Sequence, residues 1–317
     1  MKSKKPRRIL VPIDFSEESI KTLRLAKLLA ERWRAHLDLL HVIAPSAPTF
    51  AAMSPIAISS RKTAHATLKQ LEDFAFEQSV QPIPYSCVIR VGVAAQRINE
   101  TARKIGSDLI AIATRGYTGL KHAFLGSTTA RVVRTSLCPV LVVRELDYLS
   151  ASERARRGRT PLQFKKVLVP FDFSECSRVG LDYALGVARE FQSSLLLFHS
   201  VVVQPYVLDS ASAALQVPNL IKAQEEYAEE EMEKLRRELA RKSMKVETVI
   251  GLGSPVEQLN DSVRSHRVDL IVTSTHGRIG LKRLFIGSTA EQIVRHAISP
   301  VLVVPNRPSQ KKPRKQR

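Results

Sequence analysis

Three cysteines in 317 residues, at Cys87, Cys138 and Cys176, are too few and too scattered for a disulfide framework or a thiolate metal cluster. Aromatic residues are only 6% of the chain, and there is a single tryptophan. Long apolar runs are missing too. The longest, 108–113 and 140–143, have the length of a strand and fall far short of the ~20 residues a membrane helix needs. No membrane insertion is expected. The apolar run after the basic N-terminus stops at Asp14 and is too short for an export signal. With 44% apolar and 25% charged residues the composition is that of a soluble globular protein, and a reducing, cytoplasmic setting is expected.

Also missing are the phosphate-binding G-x-x-x-x-G-K-[S/T] loop, a G-x-G-x-x-G fingerprint after the first strand, a G-x-S-x-G nucleophile elbow and any His/Cys metal spacing. No residue pairs a nucleophile with a base. An enzyme is therefore not expected, although a phosphate cradle would leave slow ATP hydrolysis open. Acidic charge is scarce where basic charge is dense. Of the net +19, five charges lie in residues 1–8, five in 151–166 and six in 307–317, which leaves three for everything else. The tails and linker are solvated basic segments, or they add weak, salt-dependent attraction to nucleic acid or an anionic surface without sequence specificity.

What the chain does contain is a repeat. Val11-Pro-Ile-Asp14-Phe-Ser-Glu17 returns as Val169-Pro-Phe-Asp172-Phe-Ser-Glu175, and His41 as His199, at an offset of 158. Asp108 matches Asp269. Gly116, Gly119 and Gly126-Ser127-Thr128 match Gly277, Gly280 and Gly287-Ser288-Thr289, and Pro139–Val143 matches Pro300–Val304. These later pairs stand at offset 161, so three residues were gained mid-domain. Within the first copy, strands are expected at 8–13, 36–43, 85–91, 108–113 and 140–143, and helices at 17–33, 61–79, 95–105 and 127–136. Continuous apolar strands alternating with amphipathic helices indicate an α/β fold of two tandem Rossmann-like domains. Each is a five-stranded parallel sheet with helices on both faces. The expected boundaries are a basic tail at 1–7, domains at 8–145 and 165–305, a linker at 146–164 and a second basic tail at 306–317. An exposed closing strand seeks a partner, so Val140–Val143 and Val301–Val304 are expected to pair as a pseudo-dimer within one chain; further self-association is left open.

In such sheets a ligand sits beyond the strand carboxyl ends, where the winding direction switches. Asp14 and Asp172 end the first strand of each copy, where a carboxylate can accept from ribose hydroxyls. Gly126-Ser127 and Gly287-Ser288 open a helix whose bare N–H groups suit a phosphate. His41 and His199 read as packed core residues, Cys138 as a small buried one, and Glu225–Glu233 as a solvated helix face. Segments 44–60 and 202–218, rich in small residues, would border the site as mobile lids.

These residues carry a specific resemblance. The universal stress protein family has a nucleotide motif G-x-x-G-x9-G-[S/T] after a strand. The chain has Ala113-Thr-Arg115-Gly116, nine residues, then Gly126-Ser127; its second copy has Ser274-Thr-His276-Gly277, nine residues, then Gly287-Ser288. The family's V-P-x-D-x-S opening and P-V-L-V-V closing strand are present twice. The resemblance implies a stress-response regulator that binds ATP or a related adenine nucleotide, with Mg2+ where the nucleotide carries it. The implied contacts are Pro12, Asp14, Val42, Ala113, Arg115, Gly116, Gly126, Ser127 and Thr128 in the first copy. In the second they are Pro170, Asp172, Ser200, Ser274, Gly277, Gly287, Ser288 and Thr289. Ala113 and Ser274 replace the first motif glycine; both close an apolar strand, so the loop shape is expected to survive. Val42 against Ser200, and Arg115 against His276, predict tighter binding in the first copy. The alternative is an interaction scaffold without nucleotide, tethered by its basic tails.

Overall fold

The structure, a computed structural model, describes residues 5–44, 56–114, 125–144, 164–202, 211–275 and 287–306. The first half runs β1 (Arg8–Pro12), α1 (Glu17–Trp33), β2 (His36–Ile43), α2 (Ile56–Glu77), β3 (Tyr85–Val91), α3 (Ala94–Ile105), β4 (Leu109–Ala113), α4 (Ser127–Thr135) and β5 (Val140–Val143). The second repeats it as β6 (Lys166–Pro170), α5 (Glu175–Phe191), β7 (Ser194–Val201), α6 (Ala211–Arg241), β8 (Val246–Leu252), α7 (Pro255–His266), β9 (Leu270–Thr275), α8 (Ser288–His296) and β10 (Val301–Pro305).

All ten strands form one sheet in the order β3-β2-β1-β4-β5-β10-β9-β6-β7-β8. Pairing is parallel within each half. At the seam β5 and β10 run antiparallel, with Val301 opposite Val142, Leu302 opposite Leu141 and Val303 opposite Val140. β5 is buried throughout and β10 from Val301 to Val304. Each closing strand thereby covers the other's edge, which would otherwise present unpaired N–H and C=O groups to solvent.

Buried side chains divide into two layers. One packs α1, α2, α5 and α6 on one face of the sheet, and the other packs α3, α4, α7 and α8 on the opposite face. Continuous burial along β4 explains its unbroken apolar run, and β9 is buried from Leu270 to Ser274. The repeat also places equivalent polar anchors. The Asp108 carboxylate accepts from the Arg7 and Arg8 amides at 2.8 and 3.1 Å, and Asp269 accepts from Lys165 and Lys166 at 2.6 and 2.9 Å. Each holds the start of its half's first strand beside β4 or β9.

Two expectations needed correction. α2 begins at Ile56 rather than residue 61, and α6 begins at Ala211 with Pro218 inside it. The ends of both expected lid segments are therefore helix; alanine-rich sequence favours it. Residues 45–55 and 203–210 of those segments lie outside the described residues. Glu225–Glu233 does lie on α6, where it forms i,i+3 and i,i+4 ion pairs with Lys222, Lys234, Arg236 and Arg237.

Candidate functional site

The site originates in a parting of strands. β1 and β4 pair only through Ile9 and Leu10, opposite Leu109 and Ile110. Beyond that register no pairing is recorded between their carboxyl ends. β6 and β9 behave alike, pairing only at Val167 and Leu168. This is the switch point, because β1 continues outward to β2 while the chain returns through β4 on the other side.

In the first half a cavity of about 180 Å³ occupies the gap. It is bordered by Pro12 and Asp14 from the end of β1, Val42 from β2, Ala113 from β4, and Gly126, Ser127 and Thr128 at the start of α4. The corner that delivers Asp14 is tightly built. Phe15 has φ 62°, a left-handed conformation that costs a side-chain-bearing residue roughly 1–2 kcal/mol. It is held there by rings: Phe15 lies 4.8 Å from His41 and 5.4 Å from Phe74. His41 Nδ1 is 2.8 Å from the Ile13 carbonyl. A carbonyl only accepts, so Nδ1 carries the proton. His41 is therefore a half-buried strut for the corner as well as a cavity wall. Asp14 Oδ1 accepts from the Ser16 hydroxyl at 2.5 Å and its amide at 3.1 Å, while the same hydroxyl accepts from the Ser19 amide and caps α1.

Across the gap α4 starts without a side-chain cap, since its N-cap is Gly126. The amides of Ser127, Thr128 and Thr129 have no hydrogen bond among the described residues, and the positive end of the helix faces the cavity. Two bonds tie the start of α4 to the end of β4: the Gly126 amide donates to the Thr114 carbonyl at 2.8 Å, and the buried Thr129 hydroxyl donates to the Ala113 carbonyl at 2.6 Å.

The second half repeats the frame with altered details. Its cavity, about 260 Å³, is bordered by Pro170, Asp172, Ser200, Ser274 and Thr289. Gly287 and Ser288 stand at the capless start of α8 outside that lining. Phe173 repeats φ 62°, and His199 Nδ1 repeats the 2.8 Å bond, here to Phe171. Burial pushes the Asp172 carboxyl up, but hydrogen bonds from Ser174 and Ser177 outweigh it and the group ends below its ordinary value. Ala290 stands where the first half has Thr129, so that latch is gone. Instead the Ser274 hydroxyl donates to the Cys176 carbonyl in the first turn of α5. Ser200 donates its hydroxyl to the Gly253 carbonyl at 3.1 Å and so walls the cavity with its methylene.

Arg115, Gly116, Gly119, His276, Gly277 and Gly280 lie outside the described residues. Sequence reasoning missed Ile98 of α3 and Leu259 of α7, which line the cavities from the far sheet face, and the Thr129 latch. The buried Cys176 was also missed. It borders the second cavity, and burial raises its thiol, an inert state. No group of three or more metal-ligating side chains occurs among the described residues, and no helix among them is long and apolar enough to cross a membrane.

A doubly wound sheet used twice, with an aspartate after the first strand and a helix start without a side-chain cap in each half, defines a tandem α/β protein with one switch-point cavity per half. The profile of the Universal stress protein family matches residues 5–144 and 163–305, and the chain belongs to that family. A universal stress protein of Methanocaldococcus jannaschii is 29% identical over 178 residues, 56% of this chain and 98% of the relative. One from Mycolicibacterium smegmatis is 24% identical over 310 residues, 93% of this chain and 96% of the relative. The crystal structure of a universal stress protein from Archaeoglobus fulgidus superposes with a TM-score of 0.67 at 20% identity, covering 94% of this chain and 98% of that one; the likeness is one of fold.

Proposed function

We propose that both halves bind an adenine nucleotide, and that the chain is a cytoplasmic stress-response regulator whose surface answers to nucleotide occupancy. The observation that carries this reading is that Asp14 and the uncapped amides of Ser127 and Thr128 face one another across a single cavity. A carboxylate suits ribose hydroxyls, and bare amides at a positive helix end suit phosphate. Val42 offers an apolar wall to a base. Volumes of about 180 and 260 Å³ take part of a nucleotide. The remaining contacts fall to the motif loops, with Arg115 and Gly116 in the first half and Gly277 in the second, and Mg2+ would arrive with the phosphates. The first half binds more tightly, through Arg115 and Val42. We assign the units to residues 8–145 and 165–305, joined by 146–164 and flanked by basic tails.

The test is a thermal shift of the full chain with ATP, in wild type and Gly126→Glu. Gly126 has φ −58°, so any side chain fits the backbone, and an acid at a helix start is tolerated. The new carboxylate would take the place of phosphate. ATP should raise the melting temperature of wild type, and less so for Gly126→Glu at an unchanged ATP-free melting point. No shift in wild type, combined with salt-sensitive nucleic-acid retention lost on deleting the tails, would favour the tethered scaffold.

A further inference from the structure

The two halves do not pack flush. On the face covered by α1 and α5, a cavity of about 690 Å³ lies over the seam, far larger than either switch-point cavity. Sites for small organic ligands run from roughly 300 to 1,000 Å³ and favour junctions between units. Its floor is aliphatic: Leu141 and Leu302, paired across the seam, flanked by Leu109 and Leu270. Trp33 of α1 and Tyr183 of α5 stand at its walls.

Comparing the repeats shows where α5 departs from α1 at the cavity. At the offset of 158, Leu25 and Leu28 of α1 correspond to Tyr183 and Gly186 of α5. Tyr183 and Gly186 border the cavity together with Asp182, Arg189 and Glu190, so one stripe of α5 faces it. A glycine inside a helix costs ~1 kcal/mol relative to alanine. Gly186 is half-buried and borders the cavity.

The polar groups narrow the ligand. The Tyr183 hydroxyl has no hydrogen-bond partner among the described residues. Burial, then Cys138 and Asp108, push its phenol far above the ordinary value, so it stays a donor. Lys5 pairs with Glu190 at 2.8 Å and Lys242 with Glu238 at 2.6 Å. Arg189 is exposed and has no ion pair among the described residues. Asp182 lies seven residues, ~10 Å along the helix, from Arg189, and directs a negative group to the Arg189 end.

We propose that the seam cavity is a second binding site, separate from the nucleotide pockets, for a small amphipathic carboxylate. Its aliphatic chain lies over Leu141 and Leu302 and past Tyr183, and its head reaches Arg189.

The probe is decanoate added to the full chain, read by the emission of Trp33, the one tryptophan in the sequence. Saturable binding is expected, undisturbed by ATP. Gly186→Leu gives α5 the residue α1 carries there, and should weaken decanoate at least about tenfold while circular dichroism stays unchanged and the melting point does not fall. Arg189→Gln should weaken decanoate about tenfold and leave decanol unaffected. No saturable response, or full affinity in a folded Gly186→Leu, overturns the proposal. Equal binding of decanol and decanoate by wild type overturns the anionic head. Should Gly186→Leu fail to fold, Arg189→Gln decides: unchanged decanoate affinity in that variant overturns the assignment.

Discussion

Thr129→Val removes one hydrogen and one oxygen's worth of chemistry while keeping the side-chain shape. Thr129 is 4% exposed and Ala113 7%, and the bond between them measures 2.6 Å. β4 pairs with β5 on one side, while its ladder to β1 ends at Ile110. The Ala113 carbonyl therefore lies at the parted edge, where the threonine hydroxyl satisfies it. Valine strands that acceptor in a buried place, at a cost of about 1–3 kcal/mol. With ~2 kcal/mol and an unfolding entropy of ~2.1 cal/mol/K per residue, the melting point falls about 7 °C if the first half melts alone. It falls about 3 °C if the ten-stranded sheet melts as one body. Thermal denaturation followed by circular dichroism measures this and reports the cooperativity at the same time. ATP affinity of the first half should drop further, because the latch holds the α4 amides opposite Asp14. A Thr129→Val chain melting within ~1 °C of wild type would refute the argument.

Three further outcomes are expected. Arg267 ends α7 at φ 53°, where the equivalent residue ending α3 is Gly106, so Arg267→Gly should raise the urea-unfolding free energy by ~1 kcal/mol and Gly106→Arg should lower it by as much. Asp172 has a lowered folded-state pKa, so its contribution to stability is complete above the ordinary aspartate range and is lost as pH falls through the folded value. The stability difference between wild type and Asp172→Asn should shrink on acidification below pH ~4, and a difference flat in pH would contradict the assignment. Phe191 packs on Phe164 at 4.8 Å and Trp33 at 5.8 Å beneath the Arg32 guanidinium, tying α5 to α1 across the seam; Phe191→Ala should cost about 3–5 kcal/mol in urea denaturation.

Elements that repeat and follow a simple period were legible from the residues alone. Continuous apolar runs marked the parallel strands, and helical spacing marked a helix over 17–33, the bounds that α1 has. Of the residues around the first cavity, topology marked Asp14 after the first strand and Gly126 at a helix start, while Val42 was marked only by the family resemblance. Other features depend on contacts distant in sequence. The φ of 62° at Phe15 and Phe173 is sustained by a histidine 26 residues onward, and apolar packing in a strand was all the sequence revealed about that histidine. The Thr129–Ala113 latch crosses a loop, and its replacement by Ser274 and Cys176 joins residues 98 apart. The seam cavity is bordered by residues of both halves that stand far apart in sequence. Start points of α2 and α6 were missed because alanine and serine runs carry no strong period.

Isothermal titration of ATP into the full chain, wild type beside the Asp14→Ala, Asp172→Ala double variant, tests the reading most directly. Saturable heat from as many as two sites in wild type, largely abolished in a double variant that still folds, is the expected result. Absence of binding in wild type, or the same affinity after both carboxylates are removed, would contradict it.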